Sequence, residues 1–185
     1  MRVTLLSSVL VLALSGAAMA QTEDSSLYRN TDYRFAIIFP DEPMVREISY
    51  TTNDGTSVLA RQFYVEQGTN QYLVTVVTLP AGPAIDHDAV EHAAEQMRQK
   101  GEVRFQFDMG YDPGIPGRQL NIFQPDGRQL RASAYMWNHN LYITEAIATP
   151  GDIAALKFEQ SILLLNADGS PVDTGQGNCP VPRAE

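Results

Sequence analysis

The chain has 185 residues, of which 44% are hydrophobic and 19% charged, and its 22 acidic and 13 basic side chains give a formal net charge of -9. This length suits one domain with short appendages, and the composition excludes a coiled coil, a collagen-like repeat, a disulfide scaffold and wholesale disorder. The negative charge argues against binding to nucleic acid, which needs a basic surface, and no stretch beyond the N-terminus is long and apolar enough to span a bilayer.

Residues 1–20 have the layout of a secretory signal peptide. Arg2 gives a positive start, residues 5–14 form a largely apolar stretch, and Ala18-Met19-Ala20 offers the small residues that a signal peptidase reads. We therefore expect cleavage after Ala20, a flexible N-terminus over residues 21–26, and a mature protein that is periplasmic or secreted. The single cysteine, Cys179, has no histidine nearby and is read as an incidental thiol.

Residues 27–165 carry the strand and turn signals of one packed α+β domain. Turn sequences at residues 53–55, 125–127 and 138–140 predict three β-hairpins. Residues 102–110 alternate apolar and polar side chains strictly, which predicts a half-buried strand. The predicted strands are residues 34–39, 44–52, 56–66, 71–78, 102–110, 117–124, 128–137 and 141–148.

Two helices interrupt these strands. Asp88 and Glu91 have the spacing of a capping box and predict the start of the first helix, and Gly101 predicts its end. The apolar stripe of that helix is Val90, Ala93, Ala94 and Met97. A second helix is expected to start near Asp152, and residues 161–165 either continue it or form a short final strand. Residues 166–185 are rich in Gly, Pro and Asp and predict a disordered C-terminal tail.

Four short phrases occur in order along the domain: residues 33–40 (YRFAIIFP), 114–120 (GIPGRQL), 141–144 (LYIT) and 157–161 (KFEQS). Together they resemble the PsbP-like family, which also contains the Ran-binding Mog proteins of yeast. The resemblance spans about residues 27–165 and implies an antiparallel β-sheet flanked by helices in an α-β-α sandwich. It also implies relatives that are mostly adaptor or assembly proteins, with most bacterial secreted members uncharacterised and no catalytic motif that transfers to this chain.

The sequence supports no cofactor or metal site and no catalytic residues. Asp88 and His92 are four residues apart on the first predicted helix, close to Glu91 and Glu95, but no His or Cys cluster completes a metal shell. No G-x-S-x-G nucleophile motif and no phosphate-binding loop occurs. The chain is therefore more easily interpreted as a binding protein than as an enzyme.

Three residues are candidates for contact with a partner. Tyr111 lies in a loop stiffened by proline, Trp137 ends a predicted strand, and His139 lies in the turn that follows. Tyr and Trp dominate interface energies, so we expect Tyr111, Trp137 and His139 to contact a protein of the cell envelope. Tyr135, on the same strand, is expected to be buried in the core. The alternatives are a small secreted hydrolase, which requires a pocket with His139, an acid and a nucleophile, and a small-molecule carrier with an enclosed apolar pocket.

Overall fold

A computed structural model describes residues 27–80, 83–110 and 114–172, so the expected signal peptide, residues 21–26 and Tyr111 lie outside the described residues. In chain order the elements are β1 Leu27–Asn30, β2 Phe35–Ile38, β3 Met44–Thr51, β4 Ser57–Gln67, β5 Asn70–Thr78, α1 Pro83–Arg98, β6 Glu102–Asp108, β7 Gly117–Phe123, β8 Gln129–Trp137, β9 Asn140–Ala148, α2 Ile153–Gln160 and β10 Leu163–Leu164.

The described strands form two antiparallel sheets. The larger has seven strands in the order β3-β4-β5-β9-β8-β7-β6, and the smaller has three in the order β1-β2-β10. The described part of the chain is therefore mostly antiparallel β-structure with two helices, as the sequence predicts. The expectation of a single sheet is wrong, because β2 pairs with β1 and β10 and lies against the larger sheet as a separate layer.

Both faces of the larger sheet are covered, and each cover builds a core. Helix α1 lies on one face, here called the α1 face, where its predicted stripe is buried against β7, β8 and β9. Helix α2 and the small sheet together cover the opposite face, here called the α2 face. That core is rich in aromatic rings packed edge to face or at a tilt: Tyr28, Phe35, Phe39, Phe63, Tyr72, Tyr142 and Phe158. Tyr135 is buried in this second core.

Helix α1 starts earlier than the sequence predicts. It begins at Pro83, so Asp88 is an exposed interior residue and caps nothing. Proline suits the first helical position, where its fixed φ is already helical and its missing N–H is not needed. Gly101 follows the helix, and its φ is not positive. Glycine is needed there because a Cβ atom would lie 2.2 Å from the Phe123 carbonyl oxygen.

Helix α2 and the segment after it close the α2 face. Asp152 caps the helix by accepting a hydrogen bond of 2.8 Å from the Ala155 backbone N–H, as its predicted start requires. The buried side consists of Ala155, Phe158 and Glu159, whereas Ile153 is exposed. Residues 163–164 form the short strand β10, and residues 166–172 of the expected tail make an ordered turn whose Gly169 carbonyl accepts a hydrogen bond from Arg29. The rest of the tail lies outside the described residues. Neither helix in the described ranges has the length and apolar character needed to cross a bilayer.

Candidate functional site

The structure places the two described contact candidates at one end of the larger sheet. Trp137 is half-buried at the end of β8, where its indole N–H donates to the Leu165 carbonyl at 3.4 Å. His139 is exposed in the β8–β9 turn with a φ of 68°, and its carbonyl accepts a hydrogen bond of 2.7 Å from the Leu79 N–H. Their role as contact residues stays a prediction.

Strand β6 is one edge of the larger sheet, and β3 is the other. Val103 lies opposite Ile122 and Phe105 opposite Asn121, so Arg104 is an extra residue in a β-bulge. The bulge interrupts the alternation that the sequence shows. Val103 faces α1, but Phe105 and Phe107 turn to the α2 face, where neither α2 nor the small sheet reaches them.

The two phenylalanines form an exposed apolar pair. Phe105 is 56% exposed and Phe107 is 55% exposed, and their rings stack with centroids 6.4 Å apart. The predicted half-buried strand is therefore largely exposed on both faces. Edge strands with exposed apolar side chains are surfaces that natural proteins usually protect.

On the α1 face, the end of the same strand borders a cleft of about 510 Å³ between α1 and β7, whose lining combines apolar and charged residues. Its charged groups come from three elements: Asp86 and Glu91 on α1, Asp108 on β6 and Arg118 on β7. The Arg118 guanidinium donates to Glu91 at 2.7 Å and also contacts the Asp108 carboxylate.

Glu91 joins this cleft to the C-terminal end of α1. It accepts a second hydrogen bond of 2.7 Å from Arg98, which also pairs with Glu95. Burial by itself would raise the pKa of Glu91, but the hydrogen bonds from Arg98 and Arg118 outweigh it and lower that pKa. The carboxylate therefore stays ionised, and the cleft presents fixed charges that suit recognition of a charged group.

Gly117 holds β6, β7 and β8 together at this end of the sheet. A Cβ at this position would lie 1.8 Å from the Met109 carbonyl oxygen and 2.5 Å from the Tyr135 ring. The Met109 N–H also donates to the Gly117 carbonyl at 3.0 Å. The close approach of these backbones requires glycine and fixes where the cleft and the edge strand meet.

A second cleft, of about 270 Å³, lies between the β3–β4 hairpin and the first turns of α1. Tyr50 lines it and is buried, and its hydroxyl group has no hydrogen-bond partner among the described residues. Burial raises the pKa of Tyr50 to about 12. An unpaired buried hydroxyl costs free energy, because it has lost water without gaining a partner.

We expect Tyr50→Phe to raise the free energy of unfolding at pH 7 by about 1 kcal/mol, because it removes that unpaired hydroxyl. The pH dependence also changes. The pKa of Tyr50 rises from 10.0 unfolded to about 12 folded, so its contribution is complete below pH 10 and is lost as the pH approaches 12. Urea denaturation between pH 7 and 11.5 should show that the free energy of unfolding declines less steeply with pH in the variant.

The matched control is Tyr142→Phe. Its free energy of unfolding should fall by about 1 kcal/mol because the Tyr142 hydroxyl donates to the Tyr33 carbonyl at 2.9 Å. A loss of stability in Tyr50→Phe would contradict the assignment.

Three of the metal ligands considered from the sequence, Glu91, His92 and Glu95, have other partners. The His92 ring nitrogen Nε2 lies 2.9 Å from the Thr51 carbonyl oxygen and 2.8 Å from the Gln96 amide nitrogen. Across the described ranges, no three His, Cys, Asp or Glu side chains are grouped so that they could hold a metal ion.

One buried carboxylate anchors α2 to the sheet. Glu159 accepts hydrogen bonds of 2.6 Å from Gln119 on β7 and of 2.6 Å from Arg131 on β8. Both hydrogen bonds lie on the α2 face and join α2 to β7 and β8.

The fold and the site together define an α+β domain with an antiparallel sheet covered on both faces and an uncovered edge strand. No protein-family model and no curated protein matches the chain. The solution structure of cyanobacterial PsbP from Synechocystis sp. PCC 6803 is similar, with a TM-score of 0.47 and 10% identity over 82% of this chain and 98% of that one. A protein of unknown function from Pseudomonas aeruginosa is also similar, with a TM-score of 0.34 and 16% identity over 70% of this chain and 85% of that one. Because both TM-scores are low, the description of the fold rests on the strand pairing and packing of the chain itself.

Proposed function

We propose that the chain is an exported, non-catalytic binding or assembly module of the PsbP-like type, and that its β6 edge receives a protein partner in the cell envelope. The observation that supports this most is the stacked, exposed pair of Phe105 and Phe107 on an edge strand. Two large apolar side chains side by side on a sheet edge favour association with another protein. The likeness of four sequence phrases to PsbP-like proteins supports the type of module.

Export is supported by the sequence of residues 1–20. A positive start, an apolar stretch and small residues before Gln21 are the features that direct a chain through the secretory pathway. The partner is therefore expected in the periplasm or outside the cell.

The two alternatives have weaker support. A hydrolase that uses His139 would need an acid and a nucleophile around it, but His139 is exposed in a turn and lines neither of the two clefts described above. A carrier would need an enclosed apolar pocket of about 300–1,000 Å³. The Tyr50 cleft is smaller than this range, at about 270 Å³, and the larger cleft, although partly apolar, has the charged groups of Glu91, Asp108 and Arg118 in its lining.

We expect a photoreactive amino acid at position 107 of the full chain to form a covalent adduct with one protein in intact cells, because the Phe107 ring lies in the proposed contact. The matched control is position 59 on β4, where Leu59 is also apolar and is 73% exposed. Illumination followed by mass spectrometry should give the adduct at position 107 and not at position 59. The same adducts at both positions, or none at either, would overturn the binding proposal.

The same material tests export. The N-terminal residue of the protein recovered from the envelope fraction should be Gln21, since cleavage is expected after Ala20. A chain that keeps residues 1–20 would contradict the exported form of the proposal.

A further inference from the structure

The free edge of β6 has the properties of a docking site for a strand. Within the described residues, β6 pairs with β7 on one side and has no strand on the other. The bulge lies at the beginning of the strand, so residues 105–108 run regularly opposite residues 121–118 of β7. Their outward N–H and C=O groups can pair with an added extended peptide, which is the recognition mode called β-augmentation.

Successive side chains of β6 point to opposite faces of the sheet, and this determines which side chains a bound peptide needs. Phe105 and Phe107 point to the α2 face, whereas Gln106 and Asp108 point to the α1 face, where Gln106 accepts a hydrogen bond of 3.0 Å from Arg98. Residues directly opposite each other on paired antiparallel strands share a face, with Cβ atoms about 5 Å apart. A peptide on this edge therefore places alternate side chains on the phenylalanine pair and the others beside Asp108.

The charges on the α1 face determine which peptide side chains fit beside Asp108. Asp108 is 83% exposed although it pairs with Arg118, so one side of its carboxylate is open to a further cation. Carboxylates outnumber guanidinium groups near the edge on this face; they are Asp86, Glu91, Glu95 and Asp108 against Arg98 and Arg118. Lysine or arginine in the added strand complements this charge.

The same charge argues against a second copy of the chain as the occupant. Each copy has a formal net charge of -9, and pairing β6 with its symmetry mate would bring two acidic surfaces together. A basic peptide gains attraction where a second copy meets repulsion.

We propose, on the basis of the binding function proposed above, that β6 accepts an extended segment of alternating apolar and basic residues as an eighth strand of the larger sheet. Its apolar side chains pack on Phe105 and Phe107, and its lysine or arginine side chains face Asp108 and Glu91. Backbone hydrogen bonds provide affinity, and the alternation provides specificity.

The test uses three synthetic eight-residue peptides, one alternating Lys and Val, one with the same composition in two blocks, and one alternating Glu and Val. Titrations of the isotope-labelled mature chain by NMR should show binding of the Lys-Val peptide at least about tenfold tighter than either of the others. The largest shifts should fall on the backbone amides of residues 105–108. Equal binding of the three peptides, or shifts that map away from β6, would overturn the proposal.

Variants separate the two sets of contacts. The double variant Phe105→Ser with Phe107→Ser should bind the Lys-Val peptide about tenfold more weakly or worse. Asp108→Asn should also lower the affinity for this peptide and reduce the dependence of that affinity on salt. Leu59→Ser is the control and should bind as the parent does. If sedimentation shows a concentration-dependent dimer that the double Phe variant does not form, the occupant of the β6 edge is a second copy of the chain, and the peptide proposal is wrong. If the photo-adduct at position 107 forms but the Lys-Val peptide does not bind, the eighth-strand proposal fails and the binding function stands.

Discussion

Gly117→Ala is expected to lower the free energy of unfolding by about 3 kcal/mol or more. The added methyl group would lie 1.8 Å from the Met109 carbonyl oxygen and 2.5 Å from the Tyr135 ring, so the backbone of one strand or the buried ring has to move. Overpacking of this kind typically costs about 1–3 kcal/mol, and the upper end applies because backbone is one of the obstacles. Thermal denaturation followed by circular dichroism should show a melting temperature lower by about 10 °C.

Gly114→Ala provides the matched control, three residues earlier in the chain. A Cβ at Gly114 meets nothing within 4 Å, so this variant should unfold within about 0.5 kcal/mol of the parent. A stable Gly117→Ala protein would show that β6, β7 and β8 can separate at this end, which would also remove the fixed geometry of the edge strand. Destabilisation of both variants alike would point to the loop itself.

Three of the hairpins in the larger sheet could be predicted from the sequence because their signals are local, whereas the β4–β5 hairpin, which turns at Gly68, was not predicted. Gly55 and Gly127 have φ of 82° and 85°, and these positive values are what a tight turn needs. Asn138 and His139 both have positive φ in the third turn, where asparagine tolerates this conformation better than most residues. The strands on each side then pair in the register that the turns set.

The exposed edge could not be predicted, because its cause is a bulge and the position of the strand in the sheet. Residues 102–108 alternate regularly in sequence, but the extra residue at Arg104 moves Phe105 to the other face. The local sequence pattern also does not predict the order of the strands in the sheet, so it does not identify β6 as an edge strand. Two phenylalanines in a strand are more often core residues, and only the pairing of β6 shows that these two are not.

The charged groups of the larger cleft could not be predicted for a related reason. Its charged residues lie on three elements and up to 32 positions apart in the sequence, from Asp86 to Arg118, and no spacing rule connects them. Asp88 and His92, whose spacing on one helix suggested a metal site, do not line this cleft. Local periodicity thus gives the elements, whereas the charges that meet between elements become visible only when the sheet is assembled.

Glu159→Ala is expected to cost about 3–5 kcal/mol of folding stability, because it leaves the Arg131 guanidinium half-buried without its carboxylate. The sequence does not single out Glu159, since its two partners lie 28 and 40 residues away on neighbouring strands. Arg131→Met with Glu159→Met removes both charges and keeps apolar volume, so the double variant should recover to within about 1–2 kcal/mol of the parent. Urea denaturation of the parent, Arg131→Met, Glu159→Met and the double variant measures the coupling energy directly. Strictly additive losses would show that the two charges do not depend on each other, and Glu159 would then hold α2 in place by packing alone.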